Sequence, residues 1–86
     1  MLMTQDLTSI KEKVKTYVVQ TAYSGENEIK DSTLIFSEGY FDSMGFVMLI
    51  SFLEENFGLS VNDDELIEEN FESINAVTDF VARKTN

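Results

Sequence analysis

Three observations predict an all-α fold: a small four-helix bundle with three longer helices, a short third helix, and a long loop between helices one and two. Apolar residues recur at three- and four-residue steps in three separate stretches, no stretch sustains a two-residue alternation, and capping residues stand where the stripes begin. With 86 residues, 43% of them hydrophobic and 12% aromatic, the chain can fill one modest core, so a single domain over 1–86 is expected. It has no Pro, internal repeat or low-complexity segment.

The first helix is read from Leu7, Ile10, Val14, Tyr17 and Val18, which share one helical face. Thr4 or Asp6 would cap it, and Lys11, Glu12, Lys13 and Lys15 would form a solvated polar face. From about Ala22 to Phe41 the pattern dissolves into Ser24-Gly25-Glu26-Asn27-Glu28 and then a mixed stretch with Leu34, Ile35, Phe36, Tyr40 and Phe41. A connection this long is expected to be functional or disordered, but its apolar second half is expected to fold back over the core.

Asp42 or Ser43 starts the second helix, in which Phe46, Leu49, Ile50, Leu53 and Phe57 share a face and Gly58 is the C-terminal stop. The run Asn62-Asp63-Asp64-Glu65 carries the N-cap and N3 acid of a capping box, which predicts a short third helix over 63–69. Ser73 caps the fourth, whose stripe is Ile74, Val77, Phe80 and Val81. Arg83 and Lys84 in its last turn suit the negative end of the helix dipole.

The formal net charge of −10 argues against nucleic acid and against anionic membrane surfaces as partners, and favours a basic protein. Between Asp31 and Ala82 there is no Lys or Arg, while Glu54, Glu55, Asp63, Asp64, Glu65, Glu68, Glu69, Glu72 and Asp79 all fall there. Such a one-sign surface either steers the chain toward positive patches or serves solubility alone. Calcium is disfavoured, because Asn62-Asp63-Asp64-Glu65 lacks the central Gly and alternating acids of an EF-hand loop.

The chain contains neither Cys nor His. That excludes disulfides and thiolate metal sites, and it removes the commonest general base and the usual partner of a nucleophilic Ser. A non-catalytic protein is expected. The N-terminus shows no basic stretch leading into a long apolar one, and no apolar run reaches the about 18 to 20 residues of a membrane span, so a cytoplasmic location is expected. A monomer is expected as well.

The chemistry concentrates in Glu38-Gly39-Tyr40-Phe41-Asp42-Ser43-Met44-Gly45. By itself, a Ser before an apolar helical run reads as a helix cap. A hydrolase elbow does not fit, since G-x-S-x-G would need Gly at Phe41 and a His base. A hydroxyl at a helix start is nevertheless well placed to carry a phosphate-linked group, because the amides at that end accommodate a phosphate.

From Gly39 to about Val81, about half of the chain, the sequence resembles the acyl carrier protein family. The shared features are Asp42-Ser43-Met44, then Val47 and Leu49, then Leu53-Glu54-Glu55-Asn56-Phe57, then Val61 with Asp63-Asp64-Glu65, and a final helix from Ser73 to Val81. The resemblance implies that Ser43 carries 4′-phosphopantetheine derived from coenzyme A, and that acyl groups ride on the arm's thiol as thioesters. It also implies a discrete carrier serving fatty acid, polyketide or related lipid biosynthesis. Asp42 would position Ser43 and help hold the metal used by the modifying enzyme; the chain would hold no metal of its own.

Implied partners are a phosphopantetheinyl transferase and acyl-transferring, condensing or acyl- and aminoacyl-ligating enzymes with basic docking patches. Met44, Val47 and Met48 are candidates for partner contact because flexible Met side chains fit several surfaces in turn. Glu54, Glu55, Glu65, Glu68 and Glu69 are further candidates. In this family the space between helices two and three can admit an acyl chain, although Leu49, Ile50, Leu53, Phe57, Val77 and Phe80 read as core.

Two positions depart from the fatty-acid carriers: Gly45 and Met48 stand where acids are common, which thins the negative face near Ser43. Asp-Ser-Met-Gly followed by x-Val and preceded by Glu-Gly also resembles the D-alanyl carriers, so the alternative is an aminoacyl or peptidyl carrier loaded by an adenylating ligase. A rival from another class is an interaction domain whose acidic face binds a basic protein without modification.

Overall fold

The computed structural model describes residues 6–22 and 29–85. They form α1 (Leu7–Thr21), α2 (Ser43–Phe57), a 3₁₀ turn (Asp63–Glu65), α3 (Glu68–Phe71) and α4 (Ile74–Thr85), with no strand among the described residues. The expected all-helical bundle is therefore present, and α4 packs against each of the other three helices. No helix among the described residues is long and apolar enough to cross a membrane.

In α1 the stripe Ile10, Val14 and Val18 is buried, as its spacing requires. Leu7 departs from it and stays 55% exposed, because it occupies the first helical position, one turn before the core begins. Asp6 is the N-cap residue but makes no side-chain cap bond, and Thr4 lies outside the described residues. Tyr17 stacks on Phe52 of α2 with ring centroids 4.1 Å apart.

The lysines of α1 are not simply solvated. Lys11 and Lys15 reach Asp31 at 3.4 and 3.2 Å, and Lys13 lies 5.7 Å from the centre of the Phe57 ring. For Lys11 and Lys15 the reason is the path of the connection, whose residues 29–41 lie back on the bundle. Ile29, Ile35 and Phe41 are buried, as the apolar second half of the loop led one to expect. The segment is stitched to the α3–α4 junction, with Ile35 N–H donating to Glu72 O at 2.9 Å and Asn75 N–H to Asp31 O at 3.0 Å. Ser24 to Glu28 lie outside the described residues.

In α2 the face Leu49, Leu53 and Phe57 is fully inside, with Phe46 and Ile50 at its margin. Gly58 ends the helix in the left-handed region, φ 64°, where a residue without Cβ is favoured, and its N–H donates to Glu54 O.

The helix expected over 63–69 is instead divided. The capping box is there, with Asn62 N–H donating to Glu65 Oε1 at 2.9 Å, but regular structure breaks at Leu66 and Ile67. The cause is local: the Glu65 carbonyl that would accept from residue 69 in a continuous helix is taken by Ile67 N–H at 2.8 Å and by Asn70 Nδ2 at 2.9 Å. Lys84 Nζ donates to Glu65 Oε1 at 2.9 Å and ties the turn to the end of α4. Ser73 caps α4 as expected, its Oγ accepting from Ala76 N–H at 3.1 Å.

Candidate functional site

The start of α2 is built by Asp42. Its extended backbone leads into the helix, its Oδ1 accepts from Gly45 N–H at 2.9 Å, and its carbonyl accepts from Phe46 N–H at 2.9 Å. Asp42 is thus the cap, and Ser43 is the first helical residue with an exposed side chain. The capping role that a Ser at this position commonly plays is already filled, so the Ser43 hydroxyl is not required to hold the helix together. Helix geometry leaves the amides of Ser43 and Met44 directed out of the helix end, beside that hydroxyl.

Next to Ser43 opens a groove of about 590 Å³. Phe36 and Phe41 from the connection and Phe46 and Val47 from α2 supply its apolar surface, while Ser37, Asp42, Ser43 and Glu68 bring polar groups. The rings are fitted to one another: Phe36 meets Phe41 and Phe46 edge-on at 5.7 and 5.6 Å, and Phe46 meets Phe71 at 5.5 Å. None of this was visible as a site in the sequence, although the density of aromatic residues between 36 and 46 was the available signal.

The absence of an acid at residue 45 has a packing cause. A Cβ at Gly45 would lie 2.8 Å from Phe41 Cδ2, closer than any real contact, and Phe41 is buried to 5% exposure. The first turn of α2 therefore has no side chain at this place because a ring fills the space. Met44, Val47 and Met48, spaced for one helical face, are 64%, 58% and 49% exposed. Together they form an apolar strip that starts beside Ser43.

The acids expected to meet partners divide into two sets. Glu54 accepts from Val61 N–H at 3.0 Å, and Glu65 accepts from Asn62 N–H and from Lys84, so both serve the fold. The Asn62 amide, followed by the Lys84 ammonium, holds the Glu65 carboxyl below its ordinary pKa. Glu55, Glu68 and Glu69 are exposed, and among the five Glu68 is the one that borders the groove with Ser43.

A phosphodiester fits this end of α2: an exposed hydroxyl that the cap does not need, two amides at the positive end of a helix of 15 residues, and an open groove for a flexible arm. The family described as the phosphopantetheine attachment site matches residues 12–81. An acyl carrier protein from Buchnera aphidicola subsp. Baizongia pistaciae (strain Bp) is 27% identical over 77 residues, which cover 90% of this chain and 96% of that relative. The family match begins within α1 and so extends well before the Gly39–Val81 stretch that carries the resemblance in sequence. From this extent of match, the chain belongs to the phosphopantetheine-attachment family, whose prosthetic group is covalently bound 4′-phosphopantetheine.

Proposed function

We propose that Ser43 is the attachment point and that the chain carries acyl groups to partner enzymes of fatty acid, polyketide or related lipid biosynthesis. The observation that carries this reading is the division of labour at the start of α2, where Asp42 caps and Ser43 is left exposed. When attached, the arm supplies a terminal thiol that holds an acyl group as a thioester.

Each residue then has a task of its own. The Ser43 oxygen forms a new bond to the phosphorus of coenzyme A as the pyrophosphate bond breaks; adenosine 3′,5′-bisphosphate leaves, and the hydroxyl proton passes to a base on the transferase. Asp42 keeps the first turn rigid so that this oxygen is presented in one place. Its carboxylate also stands next to Ser43 in sequence, where it can hold the transferase's metal. Met44, Val47 and Met48 give partners an apolar landing strip; Glu68 lines the groove with Val47, Glu55 lines a hollow with Val47 and Met48, and these exposed acids together with Glu69 suit basic docking patches.

Incubation with coenzyme A, magnesium and a broad-specificity phosphopantetheinyl transferase is expected to add the mass of one phosphopantetheine group. Ser43→Ala is expected to abolish the gain while leaving stability within about 0.5 kcal/mol, because the cap is intact. No gain, with a transferase active on another carrier, would support the unmodified interaction domain. One observation favours the aminoacyl alternative: Glu68 places a carboxylate at the groove, where it could pair with the ammonium of an aminoacyl group. Selective loading of D-alanine by an adenylating ligase, against acyl groups from an acyl ligase, decides between the two.

A further inference from the structure

We infer that Phe41 is a positioning residue for attachment of the prosthetic arm: its ring, seated in the notch left by Gly45, fixes where the Ser43 oxygen stands. This deepens the reading of Ser43 as the attachment point and rests on it. The ring and the notch belong to different parts of the chain, since Phe41 ends the connection and Gly45 lies in the first turn of α2. A Cβ at Gly45 would meet Phe41 Cδ2, Cγ and Cβ at 2.8, 3.3 and 3.4 Å. The three nearest atoms across that seam thus all belong to one side chain, and the notch is filled by it.

Neither side of the contact is loose. Phe41 is buried, its N–H donates to Ile35 O at 3.0 Å, and its ring meets Phe36 edge-on at 5.7 Å. Phe36 is backed in turn by Phe46. Gly45 is held from its other side by Asp42, whose Oδ1 accepts its N–H at 2.9 Å. Ser43 therefore lies between two residues that the cap ties to each other and the ring ties to the connection. Where the first turn goes, the Ser43 oxygen goes with it.

Attachment joins that oxygen to the phosphorus of coenzyme A as the pyrophosphate bond breaks; adenosine 3′,5′-bisphosphate leaves, and the hydroxyl proton passes to a base on the transferase. Bond making in line with a leaving group tolerates little displacement, and an error of about 1 Å can cost about 10²-fold in rate. A methyl at residue 45 needs its 2.8 Å contact to open to the 3.4 Å of ordinary packing. Because Phe41 is tied to Ile35 and Phe36, the first turn of α2 takes most of that shift. The methyl points at a buried ring and adds little surface for an enzyme to grip, so the displacement is felt in turnover and not in binding.

The test measures initial rates of loading by a broad-specificity transferase with coenzyme A and magnesium, over a range of concentrations of the full chain and well below the Tm of each variant. Gly45→Ala is expected to lower kcat about tenfold, with KM for the carrier within about twofold of wild type. Phe41→Leu, which loosens the seat, is expected to lower kcat about threefold with KM likewise unchanged. The double variant Gly45→Ala/Phe41→Leu is expected to stay near the about threefold loss, because the shorter side chain gives the methyl room; independent effects would instead multiply. Ile10→Val, a buried change in α1 with a stability loss of similar size, is expected to load at the wild-type rate. Should Gly45→Ala fail to fold, Phe41→Leu against Ile10→Val carries the test. Wild-type kcat in either folded single variant, a loss confined to KM, multiplied losses in the double variant, or an equal loss in Ile10→Val overturns the inference. No loading of the wild type overturns the reading of Ser43 itself, so the two failures are distinct.

Discussion

Gly45 shows how a single missing Cβ shapes the neighbourhood of Ser43. In an exposed helix, Gly→Ala is normally favourable by about 1 kcal/mol, because Ala costs less backbone entropy. Here the new methyl would sit 2.8 Å from the ring of Phe41, which is buried and touches Phe36 in turn. Overpacking against such a ring costs about 1 to 3 kcal/mol, so packing outweighs propensity. Gly45→Ala is expected to lower the stability of the apo protein by about 1 kcal/mol, read from denaturant midpoints at constant m. A stabilised Gly45→Ala would show that Phe41 moves aside freely and does not set the shape of the groove.

At the scale of elements, the segment 29–41 behaves as a structural part of the bundle, and Asp31 is its main fastening. Hydrogen bonding from Lys15, followed by that from Lys11, holds the Asp31 carboxyl below its ordinary value of 3.8, against the opposing effect of burial. Since its folded-state pKa is depressed, its contribution to stability is fully present above the unfolded-state value and disappears as pH falls through the folded-state one. Asp31→Asn is therefore expected to reduce Tm at neutral pH. The gap from wild type should close as pH drops below 3.8, as followed by thermal melts across an acid pH series. A gap that persists unchanged in acid would show that the ion pairs of Asp31 with Lys11 and Lys15 are not its source.

Across the whole molecule, most of the few cations are used internally while many acids are not. Lys11 and Lys15 pair with Asp31, Lys84 pairs with Glu65, and Arg83 donates to Asn70, whereas Glu55, Glu68, Glu69 and Asp79 are exposed in a chain of net charge −10. A field of one sign speeds the approach of a basic partner, and salt weakens it as the Debye length shortens to about 8 Å near 0.15 M. Association with a client that presents a basic patch is expected to slow as ionic strength rises, measured by stopped flow at fixed pH. Because the strip next to Ser43 is Met44, Val47 and Met48, dissociation should respond far less, since apolar contact is not screened. Association rates flat with salt would remove the steering role.

Periodicity was enough to place α1, α2 and α4, the Gly58 stop, the Ser73 cap and the Asn62–Glu65 capping box, because each depends on residues within a few positions of one another. The motif around Ser43 was legible for the same reason. Contacts between residues far apart in the chain were not: Glu65 ends up on Lys84, Asp31 on Lys11 and Lys15, and Phe46 between Phe36 and Phe71. Local pattern says which face of a helix is apolar, but only the packed chain decides which distant ring, ammonium or carbonyl that face meets. The groove at Ser43 exists because Phe36 of the connection meets Phe46 of α2 there.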